Sequence, residues 1–466
     1  MNTNIRTEKN MTNEQKDPAS CSFEKTSEKS RQPVYPNSLK SENGSTAVYD
    51  TIVVGGGAGG LYFGAAAPAD RKTLILEKTK NPGTKLLMAG SGQCNVTHGG
   101  SIKEFLLCYG PSGTKIRSCL YKYNNLKLCD FLQSLGVTLT EREDGKIFPA
   151  SMNAKDVKDA LLSACAQNGV EIKTNAEVIS ISKTDTRTSE DPLLRFLVQT
   201  TDGGSYACRN LVIASGGASY PTTGSDGSFL KVLEKAFRLK IVHPRPALVP
   251  IYAENYPFSS LSGISFHNAC IKIFSPPGEK KQKPVIASGD LLLTHKNFSG
   301  PIILNNSRYF FSGYRLEINF IFPYTIDSMI SHLKESLSKN RKLISTWLGE
   351  EYQLPKRFIS VVLDRIHIED KMLASLSGKE IVRLAEAFSK AEFIVSGTGS
   401  FKEAMVTAGG ISLDEVKLST MESRRIPGLY FVGEVLDIDG DTGGYNLQFA
   451  FSSAMTALSD MNSKKK

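Results

Sequence analysis

The sequence predicts an α/β protein in which a parallel-sheet domain is interrupted by a second domain, part β-barrel and part helical. Two observations predict the parallel sheet: a strand runs into glycines at residues 49–61, and another does so at residues 428–446. A third predicts the interruption. Between residues 222 and 400 the chain changes to short apolar runs separated by Pro and Gly turns, followed by helical periodicity.

The first strand lies in Y-D-T-I-V-V-G-G-G-A-G-G-L, residues 49–61. Its apolar run suits a buried parallel strand, and Gly55, Gly57 and Gly60 provide the G-x-G-x-x-G spacing, with Ala58 and Gly59 between them. This spacing lets the backbone approach a pyrophosphate at a helix N-terminus. A flexible glycine loop is the alternative, and a membrane helix is disfavoured by the glycines and Pro68.

Glu77 completes this first unit. It follows a predicted strand at residues 73–76, where a carboxylate can accept hydrogen bonds from an adenine-ribose diol. Strand, glycine loop, helix, second strand and acid all fall within the roughly 30 residues of one βαβ unit. The context therefore favours dinucleotide binding over a flexible loop.

Composition limits the class of protein and its partners. The chain has 466 residues, a formal charge of +9 and 8 cysteines with no C-x-x-C pair. These features predict two or three domains, reduced thiols, a cytoplasmic location and no metal site. The partner we expect is a small-molecule substrate, with no membrane and with nucleic acid disfavoured by the mild charge; the oligomeric state stays open. Residues 1–47 are too polar to form a core and are predicted to be a disordered extension.

Residues 78–100 form a polar, glycine-rich loop directly after the βαβ unit. Such a loop offers many backbone N–H groups to a ligand. Cys94 lies inside it and is a candidate for a thiol near a redox cofactor. A small buried residue is the favoured interpretation, because no second cysteine lies near it in sequence.

The next segments complete the first part of the parallel-sheet domain, residues 48–221. Helices are predicted at residues 126–135 and after the N-cap Asn153, and strands at residues 170–182, 196–200 and 206–214. The three strands form a β-meander. It ends in Ser215, Gly216 and Gly217, which we expect to lie beside the first glycine loop.

Residues 222–400 are predicted to be the inserted domain. Strand-like runs at residues 248–251, 269–274, 291–294 and 316–322 predict the barrel, and residues 326–391 are helical. The segment T-H-K-N-F-S-G-P, residues 294–301, contains His295. This histidine is a candidate acid or substrate ligand, with a turn-stabilising role as the favoured alternative.

Residues 401–466 return to the first domain. A parallel-type strand at residues 428–432 ends in Gly433 and Glu434, and a glycine turn, Gly443 and Gly444, leads into a helix from about Tyr445. Three aspartates (Asp437, Asp439, Asp441) resemble the start of an EF-hand loop. The positions that need Gly and Glu hold Thr442 and Gln448, so these carboxylates are better interpreted as ribityl or turn partners.

Glycine segments at opposite ends of the chain are explained by one extended FAD. Adenosine would lie at Glu77, pyrophosphate at residues 55–60, ribityl near Gly433 and Glu434, and the flavin ring near residues 443–446. Binding of NAD does not require the strand at residues 428–432 and the glycines after it. We therefore predict FAD as the tightly bound cofactor, and NAD(P)H, for which no second glycine motif is present, as a possible transient electron donor.

At these motifs the chain resembles the BaiN/RdsA-type family of FAD-dependent flavoprotein oxidoreductases, from about Tyr49 to the C-terminus. The segments that carry the resemblance are residues 53–61, K-L-L-M-A-G-S-G-Q-C-N-V-T at 85–97, residues 211–227, 294–301, 407–416 and 420–448. Two positions depart from the family pattern. Gln93 replaces an arginine and Asn297 a glycine, and the first removes a fixed charge that could hold substrate.

The resemblance implies a glutathione-reductase-like, Rossmann-type FAD-binding domain split by a β-barrel and helical insertion. The FAD contacts expected from the motifs and the resemblance are Gly55, Gly57, Ala58, Gly59, Gly60, Glu77, Lys78, Lys85, Gly90, Ser91, Gly92, Gln93, Cys94, Asn95, Val178, Ser215, Gly216, Gly217, Gly433, Glu434, Asp437, Gly443, Gly444, Tyr445 and Asn446.

The function we expect is an FAD-dependent oxidoreductase that passes hydride from NAD(P)H through flavin N5 to an activated C=C bond or a similar small organic acceptor. The alternatives are a flavin-dependent RNA-modifying enzyme, with a basic face on the inserted domain, and a flavin-holding interaction protein without turnover. No catalytic proton donor is identified from the sequence; Tyr445, Cys94 and His295 are the candidates.

Overall fold

The computed structural model describes residues 46–184, 191, 193–276, 283–338 and 341–464. Most of the predicted N-terminal extension, residues 1–45, lies outside the described residues. The described residues from 46 onward cluster as one compact unit. The predicted division of this unit into a split domain and an insertion stays a prediction.

The strands of the first half are β1 (Ala47–Val54), β2 (Thr73–Leu76), β3 (Thr97–His98), β4 (Leu139–Glu141), β5 (Lys146–Pro149), β6 (Glu171–Lys173), β7 (Val178–Lys183), β8 (Phe196–Thr200), β9 (Ser205–Ile213) and β10 (Ile241–Ala247). Those of the second half are β11 (Ile251–Ala253), β12 (Ser265–Phe274), β13 (Val285–Leu293), β14 (Phe298–Ser299), β15 (Arg315–Asn319), β16 (Ala391–Thr398), β17 (Val406–Ile411), β18 (Val416–Lys417), β19 (Glu422–Ser423) and β20 (Leu429–Phe431).

The α-helices are α1 (Ala58–Ala65), α2 (Ile102–Leu107), α3 (Arg117–Lys122), α4 (Asn125–Ser134), α5 (Ala154–Gln167), α6 (Ser228–Phe237), α7 (Pro301–Asn306), α8 (Ile326–Leu337), α9 (Ile344–Tyr352), α10 (Lys356–Arg365), α11 (Gly378–Ser389) and α12 (Tyr445–Ser463). Local sequence explains where several of these helices begin. The side chain of Asn153 accepts a hydrogen bond from the N–H of Lys155 and caps α5, and Ser377 caps α11 in the same way.

The main sheet has the order β18-β19-β20-β9-β1-β2-β6. Its centre, from β20 to β6, is parallel throughout. Residues 52–54 of β1 and the apolar residues of β2 are buried on both faces, as parallel strands covered by helices require. Helices α1, α5 and α12 pack in the same hydrophobic core.

The register of these strands places distant segments at one edge. Val54 is paired with Leu76 and Ile213, and Ile213 is paired with Phe431. The four strands therefore end at the same level. The chain leaves them at Gly55, Glu77, Ala214 and Val432, the edge at which α/β sheets bind ligands.

The meander is present, with one difference from the prediction. β7, β8 and β9 pair antiparallel in sequence order, whereas residues 170–182 form two strands instead of one. β6 joins the parallel sheet beside β2, and Asn175, with φ of 53°, turns the chain between β6 and β7. Left-handed backbone, which Asn tolerates, breaks the extended run. The small sheet β3-β5-β4 was not predicted.

Six strands form a closed barrel in the order β11-β14-β13-β12-β15-β16. A second hydrophobic core fills it with Phe258, Phe298 and Phe393 and continues into α8 to α11. The predicted fold class, a Rossmann-type parallel sheet with a meander, a barrel and helices, is confirmed. Within the described residues, no helix combines the length and apolarity that crossing a membrane demands.

Candidate functional site

A cavity of about 950 Å³ runs along the carboxyl edge of the parallel sheet. Its wall includes Gly55 after β1, Glu77 after β2, Ser215 after β9 and Gly433 after β20. The N-termini of α1 and α12 also open into it, at Gly57 and Gly444. Both glycine segments of the sequence therefore line one continuous space.

The three motif glycines have different physical roles. Gly55 has φ of 103°, and a Cβ there would lie 2.5 Å from the carbonyl oxygen of Ala214. A Cβ on Gly60 would lie 2.0 Å from the carbonyl oxygen of Gly55, so this glycine allows α1 to pack on the strand. A Cβ on Gly57 would meet no atom of the described chain within 4 Å, apart from its own sequence neighbours. The fold does not require glycine at 57, and its bare backbone leaves room for a ligand at the start of α1.

Glu77 organises the loop end of β2. Its Oε2 accepts a hydrogen bond from the N–H of Gly56 at 2.8 Å, and Oε1 accepts from the N–H and hydroxyl of Thr79, each at 2.8 Å. These bonds fix the carboxylate on the cavity wall. A carboxylate has about four acceptor positions, so capacity remains for a ribose diol.

Among the described residues, two serine hydroxyls in the cavity wall have no hydrogen-bond partner. The Oγ atoms of Ser215 and Ser225 are buried and make no hydrogen bond in the described part of the chain, although both residues line the cavity. Buried hydroxyls are almost always bonded. Their unused capacity fits a ligand that carries phosphate or hydroxyl oxygens.

A polar cluster ties the middle of the cavity together. The Lys85 ammonium lies 2.5 Å from Oε2 of Glu434 and 2.6 Å from Oγ of Ser219. The other Glu434 oxygen, Oε1, accepts from the Ser219 hydroxyl and from the N–H of Thr407, each at 2.8 Å. Glu434 therefore joins the loop after β2 to β17.

Asn95 connects the polar loop to the start of α12. In the amide orientation that satisfies its surroundings, its nitrogen donates to the carbonyls of Thr97 and Ile147, and its oxygen accepts from the N–H of Gly444 at 3.1 Å. Gly444 has φ of 90°, and a Cβ there would lie 2.6 Å from Cα of Thr97. The loop and the helix start are thus held in close contact.

The ring of Tyr445 packs away from the cavity. It stacks on His98 with ring centroids 5.5 Å apart and lies edge-on to Phe105 and Tyr109. Burial raises the pKa of its hydroxyl well above the ordinary value. This residue anchors the first turn of α12, and its side chain does not line the cavity.

Asp441 is the ionisable group that stands out at the α12 end of the cavity. Its Oδ1 accepts a hydrogen bond from Arg308 at 2.8 Å, and the same guanidinium nitrogen lies 3.3 Å from Asp439. Burial raises the pKa of Asp441 to about 7; Arg308 opposes this shift and Asp439 adds to it. Burial likewise raises the pKa of Asp439 to about 6. Two carboxyl groups facing one cation favour retention of a proton.

A second cavity, of about 350 Å³, adjoins Arg308 and Asp441. Its wall includes Leu107 at the end of α2 and Gly110 beyond it, residues 287–289 of β13, Asn305 in α7 and Arg308 just after α7. Asp441 lines both cavities. Asn305 fixes this wall, because its Oδ1 accepts from the N–H of Thr442 at 2.8 Å and from the Thr442 hydroxyl at 2.9 Å.

Most of the residues predicted from sequence to contact a cofactor line the main cavity. They are Gly55, Gly57, Ala58, Gly59, Glu77, Lys78, Lys85, Gly90, Ser91, Gly92, Gln93, Asn95, Val178, Ser215, Gly216, Gly217, Gly433, Glu434, Gly443, Gly444 and Asn446. That they bind FAD stays a prediction.

The remaining candidates lie elsewhere. Gly60 is covered by Gly55, and Asp437 accepts from the N–H of Gly409 at 3.0 Å, which makes it a turn partner. Cys94 is fully buried, and burial raises its thiol pKa to about 12. His295 is exposed in the turn between β13 and β14. With Tyr445 packed as described, none of the three proposed catalytic candidates has its side chain in the cavity wall.

Sequence reasoning missed Ser225, Arg308 and the special position of Asp441. Ser225 follows an unremarkable loop glycine, and Arg308 lies far in sequence from the aspartates that it contacts. The clustered aspartates were the available signal for Asp441, but their sequence spacing contained no information on burial.

The fold and the cavity define a class, a Rossmann-type flavoprotein. Strand ends, two helix N-termini, the bare Gly57 backbone and unpartnered hydroxyls fit an extended FAD. The description "HI0933-like protein Rossmann domain" matches residues 49–460. The chain belongs to this family, which confirms the resemblance to BaiN/RdsA-type oxidoreductases.

Three relatives of known assignment are similar over nearly their whole length. Ribosomal RNA dihydrouridine synthase of Haemophilus influenzae is 31% identical over 87% of this chain and 96% of its own. The Escherichia coli protein of the same name is 29% identical over 90% and 99%. The 3-dehydro-bile acid delta(4,6)-reductase of Clostridium scindens is 27% identical over 87% and 97%.

Proposed function

We propose that this protein is an FAD-dependent reductase that saturates a carbon–carbon double bond conjugated to a carbonyl, with NAD(P)H as the electron donor. The observation that carries the proposal is the position of Asp441, a partly buried carboxyl group, 26% exposed, in the wall of the cavity that joins the two glycine segments. Reduction of such a bond needs a hydride at one carbon and a proton at the other. FAD held in this cavity would supply the hydride, and Asp441 would hold the proton.

The chain's residues would hold FAD along the strand ends. Gly57 and the start of α1 would receive the pyrophosphate, Glu77 the adenine ribose, and the hydroxyls of Ser215 and Ser225 the phosphate or ribityl oxygens. The positive end of the α12 dipole would stabilise negative charge on the reduced flavin ring. When bound, FAD supplies hydride transfer; the protein's part is to orient, to exclude water and to provide a proton.

Asp441 is arranged to hold that proton. Arg308 occupies Oδ1, which leaves Oδ2 to carry the hydrogen. A carboxyl group with pKa of about 7 matches the pH at which a general acid works best. Because Asp441 also lines the second cavity, a carbonyl compound bound there would lie beside the proton. Arg308 acts as a positioning residue for this acid.

For the acceptor we favour the uracil ring in RNA, whose C5=C6 bond is conjugated to a carbonyl. Two relatives, at 31% and 29% identity, are named for dihydrouridine formation in ribosomal RNA. This preference revises the expectation of a small free acceptor. A steroid-like enone is the second candidate, favoured by the third relative. In both cases residues 222–400 would act as an inserted cap that selects the acceptor.

The test begins with the purified full-length chain. We expect a flavin absorbance spectrum that NADH or NADPH bleaches without oxygen, and then reoxidation by a uridine-containing ribosomal RNA. Nucleoside mass spectrometry would detect dihydrouridine in the treated RNA. A colourless protein that takes up no FAD would refute the cofactor assignment. A yellow protein that neither donor bleaches would favour a flavin-holding protein without turnover.

Matched acceptors separate the two candidate substrates. Reoxidation by RNA but not by a 3-keto-4-ene steroid supports uracil, and the reverse result supports the steroid-like acceptor. Bleaching by a donor with no reoxidation by either acceptor would contradict both substrate assignments and leave only the flavin assignment standing.

A further inference from the structure

Helices α2 to α4 carry exposed basic side chains on the segment that follows the polar loop. The cations are Lys103 on α2, Lys115 before α3, Arg117 and Lys122 on α3, and Lys127 on α4. We call these residues the basic helical surface. No carboxylate lies within ion-pair distance of any of them in the described ranges, in contrast to lysines near the cavity such as Lys78, which pairs with Asp226 at 2.7 Å.

Local geometry holds part of this surface together. The ammonium groups of Lys122 and Lys127 lie 5.5 Å and 5.4 Å from the ring centroid of Tyr123. Lys127 also donates to the carbonyl of Lys122 at 2.8 Å, and Lys122 donates to the hydroxyl of Ser459 on α12 at 2.8 Å. These contacts hold both positive charges at one aromatic ring without neutralising them.

Large apolar side chains are exposed on the same helices. Tyr121 is 57% exposed, Leu107 79% and Leu126 66%. Tyr121 lies four positions after Arg117, so the two share one face of α3. A cation beside an open aromatic ring is the combination on which phosphates and unpaired bases bind.

The same segment leads to the second cavity. Leu107 and Gly110, at the end of α2, form part of the cavity wall that also contains Asp441. An RNA strand bound along α3 would therefore be able to place one base at this cavity while its phosphate backbone contacts the helices. A base in RNA reaches an enzyme's chemistry only after it leaves its stack.

We propose that the basic helical surface binds the phosphate backbone of RNA and that Tyr121 stacks on an unpaired base. The inference rests on the proposed RNA substrate and extends it by naming where the RNA lies. An anionic membrane surface would also match the positive charge of these helices, but it would place no group in the cavity at the end of α2. RNA is therefore the occupant that both features fit.

The experiment uses the full-length flavoprotein and a fluorescein-labelled RNA hairpin with a uridine-containing loop. The triple variant Lys115→Gln, Arg117→Gln, Lys122→Gln should weaken binding at least about tenfold and make the salt dependence shallower by about two to three counterions. Tyr121→Ala should weaken binding to the hairpin loop more than to a blunt duplex. Flavin content and thermal unfolding should match those of the unmodified protein.

A matched control removes the same charge elsewhere. Lys334→Gln, Lys356→Gln, Lys379→Gln alters exposed lysines on α8, α10 and α11. We expect this control to bind the hairpin nearly as well as the unmodified protein. Equal loss in both variants would show a general charge effect, and loss in the control alone would place the RNA on the barrel-side helices; either result overturns the proposal.

Two further outcomes are informative. If the triple variant forms dihydrouridine in RNA with unchanged KM, the surface assignment is wrong while the proposed function stands. If the unmodified protein binds no RNA but sediments with phosphatidylserine vesicles, and the triple variant does not, the surface is a membrane contact and both RNA proposals fail.

Discussion

The ammonium of Lys85 lies 2.5 Å from the carboxylate of Glu434, 349 positions later in the chain. This ion pair joins the loop after β2 to the end of β20 in the wall of the main cavity. The two side chains are only 24% and 19% exposed, so water screens the pair weakly and the loss of one partner leaves a poorly solvated charge.

Replacing Lys85 with Met should therefore lower the free energy of unfolding by about 1–3 kcal/mol. The double variant Lys85→Met, Glu434→Gln should lose less than the sum of the two single variants, because it leaves no unpaired carboxylate. Chemical denaturation of the four proteins without flavin measures this coupling. Additive losses would mean that the pair contributes nothing through its contact.

Gly57 and Gly60 should respond differently to a side chain. Gly57→Val places its Cβ in open space, and φ of −77° suits any residue. We expect this variant to fold with nearly unchanged stability and to lose FAD, by at least about hundredfold in Kd. Gly60→Ala collides with the Gly55 carbonyl, and we expect a loss of about 2 kcal/mol or more in unfolding free energy.

Flavin absorbance after gel filtration measures how much FAD each variant retains. Chemical denaturation of the apoprotein measures its stability separately. A yellow Gly57→Val protein would mean that the start of α1 does not contact the cofactor. A Gly60→Ala protein of unchanged stability would mean that α1 can shift away from the strand at little cost.

The sequence predicted the parallel sheet well because its signals are local. Apolar runs at 73–76 and 428–432 and the glycines after them identify strand ends without knowledge of pairing. The rule that parallel strands end at one edge then brings Gly55, Glu77, Ser215 and Gly433 together, as the register shows. The barrel was predicted from short strand-like runs separated by Pro and Gly turns.

Other features depend on contacts between distant residues, and the sequence did not predict them. Strand β6 pairs with β2 and not with the meander. The charge state of Asp441 depends on burial and on Arg308, 133 positions away. Neither has a local pattern. Cys94 and His295 were suggested by residue type and by their positions in polar loop segments, and burial of one and exposure of the other remove both from the cavity.

Cys94 should be chemically inert in the folded protein. Burial raises its thiol pKa to about 12, so almost no thiolate is present at pH 8. We expect iodoacetamide to leave Cys94 unmodified while it alkylates the partly exposed Cys108, as peptide mass mapping can show. Cys94→Ala should keep flavin and turnover. Rapid alkylation of Cys94 without unfolding would contradict the buried position.

Asp441 should control the pH dependence of acceptor reduction. The protonated form is active, so kcat should be constant at lower pH and fall above about pH 7. Asp441→Asn should lower acceptor reduction about hundredfold or more, while reduction of the flavin by its electron donor is unchanged. The control Asp439→Asn should remain active with its pH profile shifted to lower pH, because Asp439 raises the pKa of Asp441. An Asp441→Asn enzyme with a normal rate would exclude this acid.

The same carboxyl group should affect the stability of the apoprotein. The ordinary pKa of an aspartate is 3.8, and that of Asp441 in the fold is about 7, so the folded state binds a proton that the unfolded state has lost. The resulting stabilisation is complete below about pH 4 and disappears as the pH rises through about 7. Relative to Asp441→Asn, the unmodified protein should lose stability from pH 5 to 7 and change little above pH 8.

Urea denaturation at a series of pH values measures this difference without any activity assay. Asp202→Asn provides the control, because hydrogen bonds from Thr200 and Lys173 lower the pKa of Asp202 to about 2. That carboxylate is ionised in both states throughout the range, so its stability difference should not vary between pH 5 and 8. A flat difference for Asp441→Asn as well would show that Asp441 is ionised beside Arg308, and the acid of the proposed reaction would have to be another group.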